Sequence, residues 1–268
     1  MFVEGKDMAP GGSRIGTGLA AVVWLAAAPG WSADIYVSPG GGGDGSIPGA
    51  PASLQAALDT VAGNGGEDDI LYLQQGIYSG NFSYLPAAGN NGDLAIEGGY
   101  SPGFGSRTLD PANTILDGGN AGIVLQLNDY FSSTVSGSLR VEGVTVRNGS
   151  SDLAGGGIYA STIPPGTVEL RSLIIEKNTA LNVGGGGALI CEDTDGQVGG
   201  DILLVDNIIR YNRVTGSAMD SGDGGGCTIF ASGTTRVINN LVHDNSAGTD
   251  GVAYGLGGGL DIGIRAGQ

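Results

Sequence analysis

Four segments of the sequence repeat one pattern, a glycine cluster followed by alternating apolar residues. They read Gly155-Gly-Gly-Ile158-Tyr-Ala160, Gly185-Gly-Gly-Ala188-Leu-Ile190, Gly224-Gly-Gly-Cys227-Thr-Ile229 and Gly257-Gly-Gly-Leu260-Asp-Ile262. The steps between their first glycines are 30, 39 and 33 residues. A period of this length indicates a solenoid, because a unit this small buries its apolar face only by stacking on the next unit.

An aliphatic residue followed three positions later by asparagine recurs between the glycine clusters. The copies are Ile175-Glu-Lys-Asn178, Ile209-Arg-Tyr-Asn212 and Val242-His-Asp-Asn245. Asparagines at equivalent turns can form a ladder in which each side-chain amide bonds the next one. We therefore predict one ladder of Asn178, Asn212 and Asn245, and a second, shorter ladder of Asn207 and Asn240.

Both repeats predict an all-β fold in which the chain coils and each strand pairs in parallel with its equivalent one turn later. In this fold the column of Ile158, Ala188, Cys227 and Leu260 points into the core. One exception is a short α-helix, predicted over about 53–62, where Ser53 is a good N-cap and the apolar residues recur at helical spacing.

These residues resemble a right-handed parallel β-helix of the pectin-lyase-like superfamily. The paired glycine and asparagine motifs are similar to the repeat of the chlamydial polymorphic outer-membrane proteins, although Ile175, Ile209 and Val242 stand where that family has an aromatic residue. The section from Tyr36 to Tyr78 resembles the start of many secreted β-helix proteins, in which a short helix covers the N-terminal end of the coil. The resemblance implies the fold but not one function, since lyases, hydrolases, epimerases and non-catalytic adhesins share it.

The first 33 residues are predicted to be a signal peptide. Positions 19–28 form an apolar run that is too short to span a bilayer, and cleavage is expected after Ala28 or Ala33. The alternatives are an uncleaved anchor or translation that begins upstream of the true start. Residues 34–268 are expected to form a single β-helix domain, truncated at its C-terminal end because no capping element follows the last repeat. The expected location is secreted, extracellular or on the outer-membrane surface, with no transmembrane helix in the mature chain.

The composition excludes several classes of protein. Glycine makes up 54 of the 268 residues, yet 40% of the chain is hydrophobic and only 14% is charged, which argues against disorder. A net charge of −16 disfavours nucleic acid as a partner, because a phosphate backbone attracts basic proteins. The two cysteines, Cys191 and Cys227, are either a disulfide or two buried thiols.

The residues that precede the ladder asparagines form the candidate site. Stacking aligns Arg147, Glu176, Arg210 and His243 in one column, with Lys177, Tyr211 and Asp244 beside it. One interpretation is a salt-bridged, solvated strip. The other is a polysaccharide groove, in which Lys177 or His243 is the catalytic base and the substrate is bound by Arg147, Arg210, Tyr211 and Asp244.

Calcium is the one cofactor that the sequence suggests. Two acidic loops offer carboxylates, Asp193 and Asp195 in one and Asp220 and Asp223 in the other. Calcium takes six to eight oxygen ligands, several of them carboxylates, but neither loop has the spacing of a known calcium motif.

Two functions remain open. Polysaccharide hydrolases that resemble this fold carry a Gly-His-Gly motif and an Arg-x-Lys motif. The single histidine of the sequence, His243, is not flanked by glycines, and no Arg-x-Lys is present. We therefore favour a non-catalytic protein that adheres to a cell-surface ligand or contacts a polysaccharide. The alternative is an enzyme acting on an acidic polysaccharide, with a lyase favoured over a hydrolase.

Overall fold

The computed structural model describes residues 33–87, 89–128, 137–152, 155–162, 165–181, 184–192, 201–215, 224–231, 233–248 and 258–264. The predicted signal peptide lies outside this part of the chain, apart from its last residue, Ala33, which begins the first strand. No helix within the described ranges is long and apolar enough to cross a membrane.

The strands form four parallel sheets that run side by side along one coil, and this confirms the predicted β-helix. We call one full circuit of the chain a rung; from Leu139–Glu142 onward each rung visits the four sheets in the order first, second, third and fourth, whereas the described residues of the earlier rungs contribute no strand to the third sheet. The first sheet contains Ala33–Val37, Asp69–Gln74, Leu94–Tyr100, Leu139–Glu142, Val168–Arg171, Ile202–Val205 and Thr235–Ile238. The second contains Gly76–Ser79, Thr114–Asp117, Thr145–Arg147, Ile174–Glu176, Ile208–Arg210 and Leu241–His243. The third contains Ser150–Ser151, Thr179–Ala180, Arg213–Val214 and Ser246–Ala247. The fourth contains Phe82–Tyr84, Leu125–Asn128, Ile158–Thr162, Ala188–Glu192, Cys227–Ala231 and Leu260–Ile264.

The predicted core column is confirmed by the register of the fourth sheet. Ile158 pairs with Ala188, Ala188 with Cys227, and Cys227 with Leu260. The first three side chains are fully buried, and Leu260 packs partly buried against the same core. Cys227 is a free thiol whose burial raises its pKa to about 12. This cysteine therefore packs as a small apolar residue.

The predicted helix is also present, over Leu54–Ala62. The Ser53 hydroxyl accepts a hydrogen bond from the Ala56 N–H at 3.3 Å, which caps the helix at its N-terminus. Its apolar face, which includes Leu54 and Leu58, is buried and packs against the fourth-sheet strand Phe82–Tyr84. Two 3-10 helices, Pro102–Phe104 and Pro111–Asn113, lie on the outside of the early rungs.

The glycine clusters form the corner between the third and fourth sheets, and glycine is required there for two physical reasons. The first glycine of a cluster has a positive φ, +80° at Gly185 and +56° at Gly224, which favours a residue without a Cβ. The later glycines have no room for a side chain, because a Cβ on Gly187 would lie 2.4 Å from the carbonyl oxygen of Gly226. Successive rungs touch backbone to backbone at this corner.

Asparagines line two other corners of the coil. Asn178 donates its Nδ2 hydrogen to Oδ1 of Asn212 at 3.0 Å, and Asn212 does the same to Asn245 at 3.0 Å. At the corner between the first and second sheets, Asn207 donates to Oδ1 of Asn240 at 2.9 Å. Each amide also donates to a main-chain carbonyl of the previous rung, so the side chains satisfy the polar groups of these buried corners.

Candidate functional site

The predicted column of charges lies on the outer face of the second sheet, and we call it the charged strip. It consists of Asp117, Arg147, Glu176, Arg210 and His243, each the last residue of its strand. The sheet register pairs each of them with the next along the strip. The structure thus brings together the four residues that the sequence aligned and adds Asp117 at the head, where no asparagine motif marks the rung.

Ion pairs connect neighbouring rungs of the charged strip. The Arg147 Nε atom lies 2.8 Å from Oδ2 of Asp117, and the Arg210 Nη2 atom lies 2.7 Å from Oε2 of Glu176. Lys177 Nζ lies 3.8 Å from the other oxygen of the Glu176 carboxylate. Burial opposes ionisation of Asp117, but hydrogen bonds from Asn148, Arg147 and the Gly119 N–H outweigh it and lower its pKa. The charges of these rungs are therefore largely matched within the protein.

Three further candidates occupy the corner that follows the charged strip. Lys177, Tyr211 and Asp244 all have a positive φ, between 54° and 57°. This left-handed conformation turns the chain sharply, so that the next residue can place its asparagine side chain in the ladder. The corner residues are exposed as a result, and half of the Tyr211 side chain is accessible to solvent.

Arg210, Tyr211, His243 and Asp244 form a small cluster at the later rungs. The Arg210 guanidinium carbon lies 5.7 Å from the centre of the Tyr211 ring, and the His243 ring meets that ring edge-on at 5.8 Å. The Asp244 Oδ2 atom lies 2.8 Å from His243 Nδ1 and therefore orients the imidazole. An exposed aromatic ring beside a guanidinium offers a stacking face and a partner for a carboxylate.

The remaining site predictions do not join this cluster. Lys177 lies on the Glu176 rung and His243 lies two rungs further on, so the two candidate bases are about 10 Å apart along the coil axis. The calcium candidates Asp193, Asp195, Asp220 and Asp223 lie outside the described residues. Within the described ranges, no group of three or more His, Cys, Asp or Glu side chains could hold a metal ion.

A network of four charges on the first sheet escaped the sequence analysis. Arg107 lies 3.1 Å from Glu97 and 2.7 Å from Glu142, while Arg140 also pairs with both carboxylates. Both glutamates are buried and each has two cationic partners, so the network closes on itself. Its members come from early rungs that lack the glycine motif, so no sequence period places them together. Because these four charges are paired with one another, we assign the network a role in stability and not in ligand binding.

An aromatic cluster covers the neighbouring part of the first sheet. The rings of Tyr36, Tyr72, Tyr100 and Phe104 lie with centres 5.0 to 6.3 Å apart. The Tyr72 hydroxyl donates to Oδ1 of Asp34 at 2.8 Å; burial, with this acceptor, raises the pKa of Tyr72 to about 12. The rings pack against one another and act as a small outer core.

Among the recesses formed by the described residues, two are considered for binding. The first, of about 450 Å³, lies where the first-sheet strands begin and includes Asp68, Asp93 and Ser138. There the Asp93 N–H donates to Asp68 and the Ser138 N–H donates to Asp93, so these acceptors connect one rung to the next. The second, of about 590 Å³, lies between the second-sheet corner at 120–123 and the fourth sheet. We call this second recess the polar cleft; amide and hydroxyl side chains dominate its lining.

Comparisons with known proteins add little. No protein-family model matches the chain, and no curated protein matches it. Among solved structures, it is similar to the crystal structure of the pectin methylesterase from Aspergillus niger, with 13% sequence identity over 88% of this chain and 86% of that chain and a TM-score of 0.34. A likeness at this score carries no argument about function, and the parallel strand register described above establishes the fold.

Proposed function

We propose that this chain is a secreted or cell-surface β-helix protein that contacts carbohydrate or a cell-surface ligand without catalysing a reaction. The observation that carries the proposal is the pairing along the charged strip. Glu176 pairs with both Arg210 and Lys177, and Arg147 pairs with Asp117. Such ladders hold side chains in place on a surface, which suits recognition.

Tyr211 is the centre of the proposed contact surface. Its exposed ring lies between Arg210 and His243, and the three side chains form one patch on two successive rungs. A sugar ring stacks on the aromatic face, Arg210 binds a carboxylate, and Asp244 accepts hydrogen bonds from hydroxyl groups. A polymer lying along the strip meets a similar corner about every 4.8 Å, which favours extended ligands.

The test measures both binding and enzymatic turnover with the same set of polysaccharides. The protein is incubated with uronic-acid polysaccharides, with and without calcium, while the absorbance of unsaturated products is recorded. Retention on the same polysaccharides, immobilised, is measured in parallel. We expect retention without an absorbance change, and we expect Tyr211→Asn, which tolerates the positive φ, to weaken retention several-fold. Ser172→Asn is the matched control, because Ser172 occupies a positive-φ corner away from the patch. A sustained rise in absorbance would contradict the proposal.

One observation favours a lyase as the second candidate. The Asp244 carboxylate orients the His243 ring on the rung beside Arg210. In an elimination, the imidazole would take the proton next to a uronate carboxylate that Arg210 neutralises; the electron pair forms a double bond as the glycosidic oxygen leaves. If unsaturated product does appear, His243→Gln should abolish it, whereas Lys177→Met, two rungs away, should not.

A further inference from the structure

We propose that the polar cleft binds an uncharged, polyhydroxylated ligand, such as one unit of a neutral oligosaccharide. The cleft lies on other residues than the charged strip, so this site goes beyond the function proposed above. Its volume of about 590 Å³ falls within the range of small-molecule sites. Three kinds of observation carry the proposal: free polar groups, rigid walls and the charge of the lining.

The polar groups of the cleft are available to a ligand. Ser83, Asn120, Gln126 and Ser150 line it, and their side chains have no hydrogen-bond partner within the described part of the chain. This differs from the charged strip, where Arg147 pairs with Asp117 and Arg210 pairs with Glu176. A concave surface with several unpaired donors and acceptors gains most from a ligand that supplies both.

The sheet register explains why Gln126 faces outward. Leu125 and Leu127 on either side of it are buried in the core, and side chains alternate along a strand. Gln126 therefore stands on the outer face, where it pairs with Ser83 on one rung and Tyr159 on the next. Tyr159, which is half-buried, follows Gln126 in the same outward column but does not line the cleft.

Hydrogen bonds fix both walls of the cleft. On one side, the main chain of Ser83 exchanges two bonds of 2.9 Å with the side chain of Gln55 on the helix. On the other side, Asn81 donates its Nδ2 hydrogen to the Ile123 carbonyl at 2.8 Å. The Asn120 N–H donates to the Asn148 carbonyl at 2.6 Å and holds that residue at a φ of +60°. Walls that are already ordered lower the entropic cost of binding.

The charge of the lining selects the ligand. No lysine, arginine or histidine lines the cleft, and Asp152 at the rim is the single carboxylate, among the described residues. An anionic ligand therefore lacks a counter-charge, and a calcium ion lacks its usual set of carboxylates. The amides of Asn120 and Gln126 each present a donor beside an acceptor, which matches adjacent sugar hydroxyls. The site thus fits a neutral sugar better than an ion.

Titration calorimetry on the full chain tests the site with three neutral probes, cellotetraose, mannotetraose and maltotetraose, and one acidic probe, trigalacturonate. We expect at least one neutral probe to bind. Gln126→Ala and Asn120→Gly should each weaken that binding about fivefold to tenfold, the effect of one lost hydrogen bond. Gln74→Ala is the matched control, because Gln74 is also a half-buried, outward glutamine of a strand, and it lies on the first sheet, away from the cleft.

Three results would overturn the proposal: no binding of any neutral probe, binding of trigalacturonate alone, or an equal loss with Gln74→Ala. Circular dichroism must show that each variant keeps the wild-type spectrum, and the glycine at position 120 accepts the positive φ. Tyr211→Asn separates the two proposed surfaces. It should weaken retention on immobilised uronic-acid polysaccharide and leave binding of the neutral probe unchanged. Each of the two proposed sites can therefore be disproved independently of the other.

Discussion

Two ladders of side chains run along this coil only two residues apart in sequence, and they differ in burial and in the number of their hydrogen bonds. The inner ladder of Asn178, Asn212 and Asn245 is enclosed at the corner, where Asn212 is 1% exposed. The charged strip repeats on the same rungs, but the Arg210 side chain is 34% exposed. The side chain of Asn212 makes four hydrogen bonds, two accepted from Asn178 and one each donated to Ile175 and Asn245. Arg210 has Glu176 as its partner and can also bind water.

The difference shows which ladder holds the fold and which is available for function. An unsatisfied buried group costs about 1–3 kcal/mol, whereas an exposed ion pair contributes at most about 1 kcal/mol. The inner ladder therefore sets the register of the rungs. In the charged strip Glu176 is buried, but Arg147, Arg210 and His243 are partly exposed and can change their chemistry with less effect on the fold, which is the property that a recognition surface requires. The four predictions below test this contrast, in order of decreasing effect.

The largest effect is expected from cutting the inner ladder. Asn212→Ala leaves the Asn178 N–H, the Asn178 amide and the Ile175 carbonyl without their buried partner. We expect a loss of about 3–4 kcal/mol in the free energy of unfolding, measured by guanidinium denaturation with far-ultraviolet circular dichroism. The control is Asn239→Gly, at an exposed asparagine with a positive φ, which should change little. A loss below about 1 kcal/mol for Asn212→Ala would remove the distinction between the ladders.

The glycine corner should come next. In Gly187→Ala the added Cβ meets the Gly226 carbonyl oxygen at 2.4 Å and the Asn212 side chain at 2.9 Å. Two rungs must move apart, and we expect a destabilisation of about 2–3 kcal/mol in the same denaturation experiment. Gly42→Ala is the control, because nothing lies within 4 Å of the position that its Cβ would take and its φ is not positive. Equal stability of the two variants would show that the corner is not closely packed.

A smaller effect with a defined pH dependence is expected at the head of the charged strip. The pKa of Asp117 is lowered in the folded protein, because its burial is outweighed by hydrogen bonds from Asn148, Arg147 and Gly119. Its stabilising effect is therefore complete above the unfolded pKa of about 3.9 and is lost as the pH falls through the lower, folded value. Asp117→Asn should cost about 1 kcal/mol at pH 6, and the difference from wild type should shrink as the pH falls below about 4.

Asp59→Asn is the control for this pH dependence. Asp59 lies exposed on the helix, where its carboxylate accepts one hydrogen bond from Gln55. Because its side chain is exposed, Asp59→Asn should change the free energy of unfolding only slightly. If the stability difference of Asp117→Asn grew with acid instead of shrinking, the assigned sign of the Asp117 pKa shift would be wrong.

The smallest effect is expected in the middle of the charged strip. Glu176→Gln keeps the shape of the side chain and one acceptor for Arg210. Glu176 is buried, but the amide of glutamine still accepts a hydrogen bond and Arg210 is partly exposed, so we expect a loss of about 0.5–1 kcal/mol that falls further in 1 M salt. A double-mutant cycle with Arg210→Met gives the coupling of the pair directly. A coupling above about 3 kcal/mol would place this pair with the buried ladder and not with the surface.

Sequence reasoning reached the parts of the molecule that repeat. The glycine motif set the register of Ile158, Ala188 and Cys227, and the asparagine spacing aligned Arg210 with His243. In both cases one residue type is required at the same place on every rung, so the period appears in the sequence.

The parts that sequence reasoning missed depend on contacts that do not repeat. Arg107 comes from an irregular segment between the first and second sheets and reaches Glu142, 35 residues away. The polar cleft joins Asn120 in one corner to Gln126 in a neighbouring strand, and the positions equivalent to Gln126 on the next two rungs hold Tyr159 and Leu189, not an amide. The proximity of Asn120 and Gln126 follows from how the early rungs bend, and a periodic pattern carries no signal for that.

The direction of the hydrogen bonds determines how the protein responds to mechanical force. The strand-pairing bonds of all four sheets run from rung to rung, along the axis of the coil. A pull on the two ends of the coil therefore loads one rung interface at a time, and rungs peel off one by one. The rung between Asn178 and Asn212 spans 34 residues, so its release lengthens the chain by roughly 110 Å. A coil of this kind dissipates tension in regular steps and yields from its ends inward.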